Sequence, residues 1–242
     1  MAQQTLRGFT DRLATAFGEE LRAVVLYGSA VGRPEPSRGT MNLLVLVGRW
    51  RDATSAAAGE AVREWTASGQ PAPLILTEGE WRSTRDVFAM EHADIAARHE
   101  LVAGQLPAEP APSPEDLRSQ LEYEAMGALI HLRQGMLVGA GDAERSLQLL
   151  LVSKGTVLTL FRTLLRLEGW EVPPKPEAVV QAAAAIAGFE ALPFERLLAH
   201  TAGTAALDAA GVTQLLTAYH AGLQRFVAYV DALVHPGSSG ID

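Results

Sequence analysis

The residues with the clearest chemistry lie in one short stretch. Val24-Val25-Leu26-Tyr27 ends at Gly28-Ser29, and the loop that follows carries Arg33 and Arg38. Glycine lets a ligand approach the backbone closely, and amides at a helix start favour phosphate. The same geometry also serves as a plain turn and helix cap. The two arginines can meet a phosphate, although an exposed loop arginine is in general only solvated. Further on, Thr40 and Asn42 can each offer one oxygen to a cation. Both are neutral, so they supply none of the charge that offsets the dehydration of magnesium. Glu35, Glu78, Asp86, Glu91 and Asp94 read as surface or capping carboxylates. Arg118 and Glu122 are four residues apart and share a helix face, as an ion pair would. The six histidines show no metal-ligand spacing, and with no cysteine the chain has no disulfide, thiolate zinc site or cysteine nucleophile.

These residues need elements to hold them. Apolar positions Leu6, Phe9, Leu13, Ala16 and Phe17 have helical spacing within Leu6 to Leu21. Ala23 to Tyr27 and Met41 to Val47 read as buried strands, with a Gly-, Pro- and Ser-rich loop from Gly32 to Gly39 between them. Ala53 to Ala67 predicts a helix whose inner face is Ala57, Ala61, Val62 and Trp65. Pro73 to Thr77 predicts a third strand, with Thr77 and Glu80 placed for a capping box. Asp86 to His99 reads as mixed, helical in its second half.

Four prolines at 107, 110, 112 and 114 mark a linker, and the pattern beyond is helical throughout. Helices are predicted from Pro114 to about Val138, Ala143–Glu168, Glu177–Ala187, Phe194–His200 and Val212–Val234. The domains are therefore residues 1–106, a linker 107–114 and a bundle 115–235. The net charge of −8 weighs against general nucleic-acid and anionic-membrane binding. The polar N-terminus and the interrupted apolar runs predict a cytoplasmic chain without a membrane span.

Val24 to Gly32, followed by Thr40-Met41-Asn42-Leu43-Leu44-Val45, resembles the nucleotidyltransferase superfamily, the DNA polymerase β-like fold. The match covers roughly Leu21 to Gly104. Asp86-Val87-Phe88-Ala89-Met90-Glu91 and Asp94-Ile95 look like the later part of such domains in bacterial proteins with a helical C-terminal half. The resemblance implies an α+β fold: a small mixed-sheet nucleotidyltransferase-like domain followed by an all-α helical bundle. It also implies a helix starting at Gly-Ser with its N-terminus towards the nucleotide phosphates. The next strand in that family carries Asp-x-Asp for magnesium, and a later strand adds a third acid.

Here the Asp-x-Asp positions read Thr40-Met41-Asn42, and Pro73-Leu74-Ile75-Leu76 holds no acid. By resemblance the bundle closes over the substrate, which makes Glu122 a candidate cleft base. The favoured expectation is an inactive nucleotidyltransferase fold, without a cofactor, that binds a nucleotide or a phosphorylated small molecule through Gly28, Ser29, Arg33 and Arg38. One alternative is an active transferase of a small hydroxyl-bearing substrate, with magnesium held by unconventional ligands. Another is an interaction subunit that pairs with itself or a protein partner. Leu149, Leu150, Val157, Leu158, Phe161, Leu164 and Leu165 form a wide apolar surface, which core packing explains first and a dimer face second.

Overall fold

The computed structural model describes residues 2–32 and 41–234. The chain divides into two compact units, Met1–Ser113 and Pro114–Asp242.

The first unit runs α1 (Ala2–Phe17), a 3-10 turn, β1 (Leu21–Tyr27), β2 (Asn42–Val47), α2 (Asp52–Ala67), β3 (Leu74–Thr77), α3 (Glu78–Ser83), α4 (Ala89–Ala97) and β4 (His99–Gly104). The sheet order is β3-β2-β1-β4. β1 lies antiparallel to both β2 and β4, while β2 and β3 are parallel, with α2 as the crossover.

From Ala23 to Leu26 and from Leu43 to Val47 the central strands are apolar without a break, because both faces are covered. Val24, Leu26, Leu43, Val45 and Val47 pack with Leu13, Phe17 and Trp65 from α1 and α2. Ala23, Val25, Leu44 and Leu46 pack on the other face with Trp81 of α3 and Ile95 of α4. Phe9 stacks on Trp65 at 4.7 Å, and the Trp65 indole donates to the Pro71 carbonyl at 2.8 Å. The buried residues of α2 are Ala58, Ala61 and Trp65, so Ala58 takes the inward place expected of Ala57, which is exposed. Thr77 and Glu80 form the expected capping box. β4 is a strand that the sequence pattern does not predict: it borders the sheet, and its first three residues are exposed.

The second unit holds α5 (Pro114–Val138), α6 (Ala143–Leu167), α7 (Pro176–Ala187), α8 (Leu192–Thr201) and α9 (Ala209–Val234). The Asp142 side chain accepts from the Arg145 amide and starts α6, and Gly188, at φ 69°, ends α7. Leu150, Val157, Phe161, Leu164 and Leu165 of α6 are buried, so this stretch builds the core of the unit. α6 is long and apolar enough to cross a bilayer by length and composition alone, with an 18-residue window of mean hydropathy 1.3. The interrupted apolar runs of the sequence predict no such helix. The whole is an α+β chain with a small mixed sheet and a helical C-terminal part.

Candidate functional site

Three strand ends meet at one edge of the sheet. Tyr27 closes β1, and its register partners are Asn42, the first residue of β2, and His99, the first residue of β4. Gly28 follows at φ 77° and opens a 3-10 turn, Gly28–Ala30. The Val31 amide closes that turn on the Gly28 carbonyl at 3.3 Å. A Cβ on Gly28 would stand 3.3 Å from Nδ2 of Asn42, so the amide of Asn42 rests against bare backbone.

The helix expected after Gly28-Ser29 is this single turn. Val31 is extended (φ −63°, ψ 130°) and Gly32 takes φ 72°, so a helix cannot propagate through them. A three-residue turn has no macrodipole to offer a phosphate.

The positive charge comes instead from Arg98, at the end of α4. Its guanidinium donates to the Val31 carbonyl, and Nη2 would lie 3.2 Å from a Cβ on Gly32. His99 places Nδ1 2.7 Å from the Ile95 carbonyl. A carbonyl only accepts, so Nδ1 of this exposed ring is the donor in that contact.

α4 also brings carboxylates to the edge. Burial, then the charges of Glu91 and Asp94, push the Tyr27 phenol up to about 12, so it stays a proton donor at neutral pH. Asp94 is buried, which corrects its reading as a surface residue.

Behind the edge, His92 is buried and stacks on Trp81 with ring centroids 3.7 Å apart. Burial, then the positive charge of Arg85, lowers its pKa from 6.5 to about 4. The unfolded chain therefore binds a proton that the folded chain refuses between about pH 6.5 and pH 4. Stability contributed by neutral His92 is complete above that window and is lost as the pH falls through it. Urea midpoints measured from pH 7 to pH 4 should decline for the parent, and the decline should be shallower for His92→Gln.

Of the residues singled out by sequence, Gly28 and Asn42 come together here. Arg33, Glu35, Arg38, Thr40 and the Ser29 side chain lie outside the described residues. Glu122 lies on α5 in the second unit, where it lines a groove with α6. Arg133, on the same helix, donates through Nε to Nε2 of His220 at 3.2 Å and so ties α5 to α9.

Asn42 is neutral, β3 reads Leu-Ile-Leu-Thr, and among the described residues no group of three or more His, Asp or Glu side chains is placed to hold a metal ion.

This sheet and its helical partner unit define a nucleotidyltransferase-like fold. The likeness is to the structure of spectinomycin adenyltransferase AAD(9) from Enterococcus faecialis with ATP and spectinomycin. That superposition has a TM-score of 0.60 at 12% identity, and covers 92% of this chain and 99% of that one. At such identity the likeness is one of fold. No family model matches the sequence, and no curated protein does.

Proposed function

We propose that this is a nucleotidyltransferase-fold protein that binds a nucleotide or a phosphorylated small molecule at the Gly28 turn and transfers nothing. The observation that carries the reading is the pairing of a cation with neutral groups. Arg98 stands over the Gly28–Gly32 turn, and the amide of Asn42 faces the same backbone. A guanidinium and a bare glycine turn suit phosphate oxygens. Nucleotidyl transfer also needs metal ions to offset charge on the attacking and leaving oxygens. Thr40 and Asn42, at the family's acid positions, offer no charge to hold them. The ATP in the AAD(9) structure makes a nucleotide the first ligand to try.

The active-transferase reading keeps one observation in its favour. Glu91 and Asp94 act on Tyr27 at the same edge and are the carboxylates from which a metal site would have to be rebuilt.

Isothermal titration with ATP and with GTP, each with and without magnesium, separates the two. The expected result is binding that magnesium leaves unchanged. Arg98→Ala should weaken it at least about tenfold, the worth of one charge-assisted hydrogen bond. Magnesium-dependent binding accompanied by pyrophosphate release would replace this reading with the active one. No binding under any of the four conditions would end both.

A further inference from the structure

α5 is apolar on two sides. Leu117, Leu121, Ala125, Leu129 and Leu132 are buried in the core of the second unit. At about 100° per residue, Tyr123, Met126, Ile130 and Leu137 form another stripe on the opposite side of the same helix. All four are exposed, Tyr123 at 77% and Leu137 at 79%. The first stripe already satisfies packing within the unit, so the second is a surface for contact outside it.

The outer stripe has the spacing of a two-helix seam. Residues 123, 130 and 137 repeat every seven, and 119, 126 and 133 interleave with them as the other half of a heptad pattern. From this pattern we propose that the outer face of α5 is the interface of a homodimer, in which it packs antiparallel against α5 of a second copy.

The stripe complements itself in that orientation. A two-fold axis makes each contact occur twice, with the two residues exchanged between copies. Setting Met126 of one copy against Ile130 of the other puts the axis at residue 128, midway between them. The same alignment sets Tyr123 against Arg133 and Ser119 against Leu137. Arg133 is held through Nε by His220, and the plane of its guanidinium can lie on the tyrosine ring. The acids of α5 all precede Ala125, and none occurs from Ala125 to Val138. No two carboxylates of the helix therefore meet across the pair, whatever contacts they make within their own chain. A parallel pair would instead oppose Arg133 to Arg133.

Gly127 fits the same place. It lies one residue from the axis, inside a 25-residue helix where only proline is less favourable. Nothing lies within 4 Å of a Cβ built on it, so packing inside the unit does not demand glycine. At the crossing point a bare backbone lets the two helices approach closely. The interface stands in the second unit, apart from the residues of the nucleotide reading, so either proposal can fail without the other.

The test uses the full chain in sedimentation equilibrium, from low micromolar to submillimolar concentration. The parent should show a monomer–dimer equilibrium with a Kd on the order of micromolar. Met126→Glu and Ile130→Lys should each raise that Kd at least about a hundredfold. Helical dichroism should stay as in the parent, because both positions are exposed and both replacements are good helix formers. Gly127→Leu should raise the Kd at least about tenfold by holding the helices apart. Mixed in equal amounts, Met126→Glu and Ile130→Lys should recover the dimer mass that each lacks alone. In that heterodimer the new acid and base face each other, and the second Met126–Ile130 contact is kept.

The proposal is overturned if the parent is monomeric at every concentration, which would leave the stripe to a partner of other chemistry. It is also overturned by a dimer that survives Met126→Glu, which would place self-association on another surface. A mixture of the two variants that stays monomeric would overturn the antiparallel alignment and the proposal with it.

Discussion

Gly104→Ala should destabilise the chain by about 3–5 kcal/mol, at the upper end of what single substitutions do. Two costs combine. Gly104 has φ 72°, where an L-residue pays about 1–2 kcal/mol. Its new Cβ would stand 1.9 Å from the carbonyl oxygen of Arg22 and 2.7 Å from the carbonyl carbon. Those are backbone atoms of the central strand, and they cannot rotate away as a side chain would. The clash is relieved only by pushing β4 off β1, where Ala23 and Gly104 are register partners. Gly69 supplies the control. It has φ 84° with nothing within 4 Å of its Cβ, so Gly69→Ala should cost only the conformational part, about 1–2 kcal/mol. Urea midpoints of the two variants measure the difference, which should be at least about 2 kcal/mol. Equal losses would mean that β4 yields easily at this point. The substitution also reaches the site, because β4 begins at His99 and follows Arg98 directly. Gly104→Ala should therefore weaken ATP binding without changing any residue near the Gly28 turn.

That dependence explains which parts of the site can be read from the sequence. β1 and β2 are legible because both of their faces are buried, which leaves an unbroken apolar run ending at Gly28 and a second beginning at Asn42. The neutral character of Asn42 is a matter of residue identity, and so is the lack of acid in β3. Arg98 is a different case. Its relevance rests on the antiparallel pairing of β1 with β4, which brings the end of α4 beside the Val31 carbonyl. β4, as His-Glu-Leu-Val-Ala-Gly at the sheet border, has too little hydrophobic pattern to announce itself. A cation that reaches a turn across 67 residues of sequence cannot be seen without that strand. The same holds for Asp94, which looks like a surface acid three residues from Glu91 and is in fact buried near Tyr27. The helix expected after Gly28 failed for a local reason, since Gly32 adopts a left-handed conformation that no propensity scale reports. In the second unit, the expected helices from Pro114 to about Val138 and Ala143–Glu168 match α5 and α6 to within a residue. The exposure of Tyr123, Met126 and Ile130 was not, because their spacing of three and four is what a core stripe also shows.

Phe161→Ala should produce the other large loss, about 3–5 kcal/mol, confined to the second unit. Phe161 is fully buried on α6 and touches three other rings. It stacks on Phe189 at 5.0 Å and meets Phe194 and Phe226 edge-on at 5.2 and 5.0 Å. Those rings come from α8, α9 and the segment between α7 and α8, so one truncation opens a cavity where several elements converge. The tryptophans allow the effect to be located. Trp65 and Trp81 are buried in the first unit, whereas Trp170, in the second, is 54% exposed. Tryptophan emission thus follows mainly the first unit, while far-ultraviolet dichroism is weighted towards the long helices of the second. With two independent cores, Phe161→Ala should lower the dichroism midpoint by roughly 10–15 °C and leave the emission midpoint in place. Gly104→Ala should move them the other way round. If both probes shift together in both variants, the chain melts as one cooperative body. A nucleotide bound at the Gly28 turn would then raise the midpoint seen by either probe, whereas with independent units it raises only that of the emission.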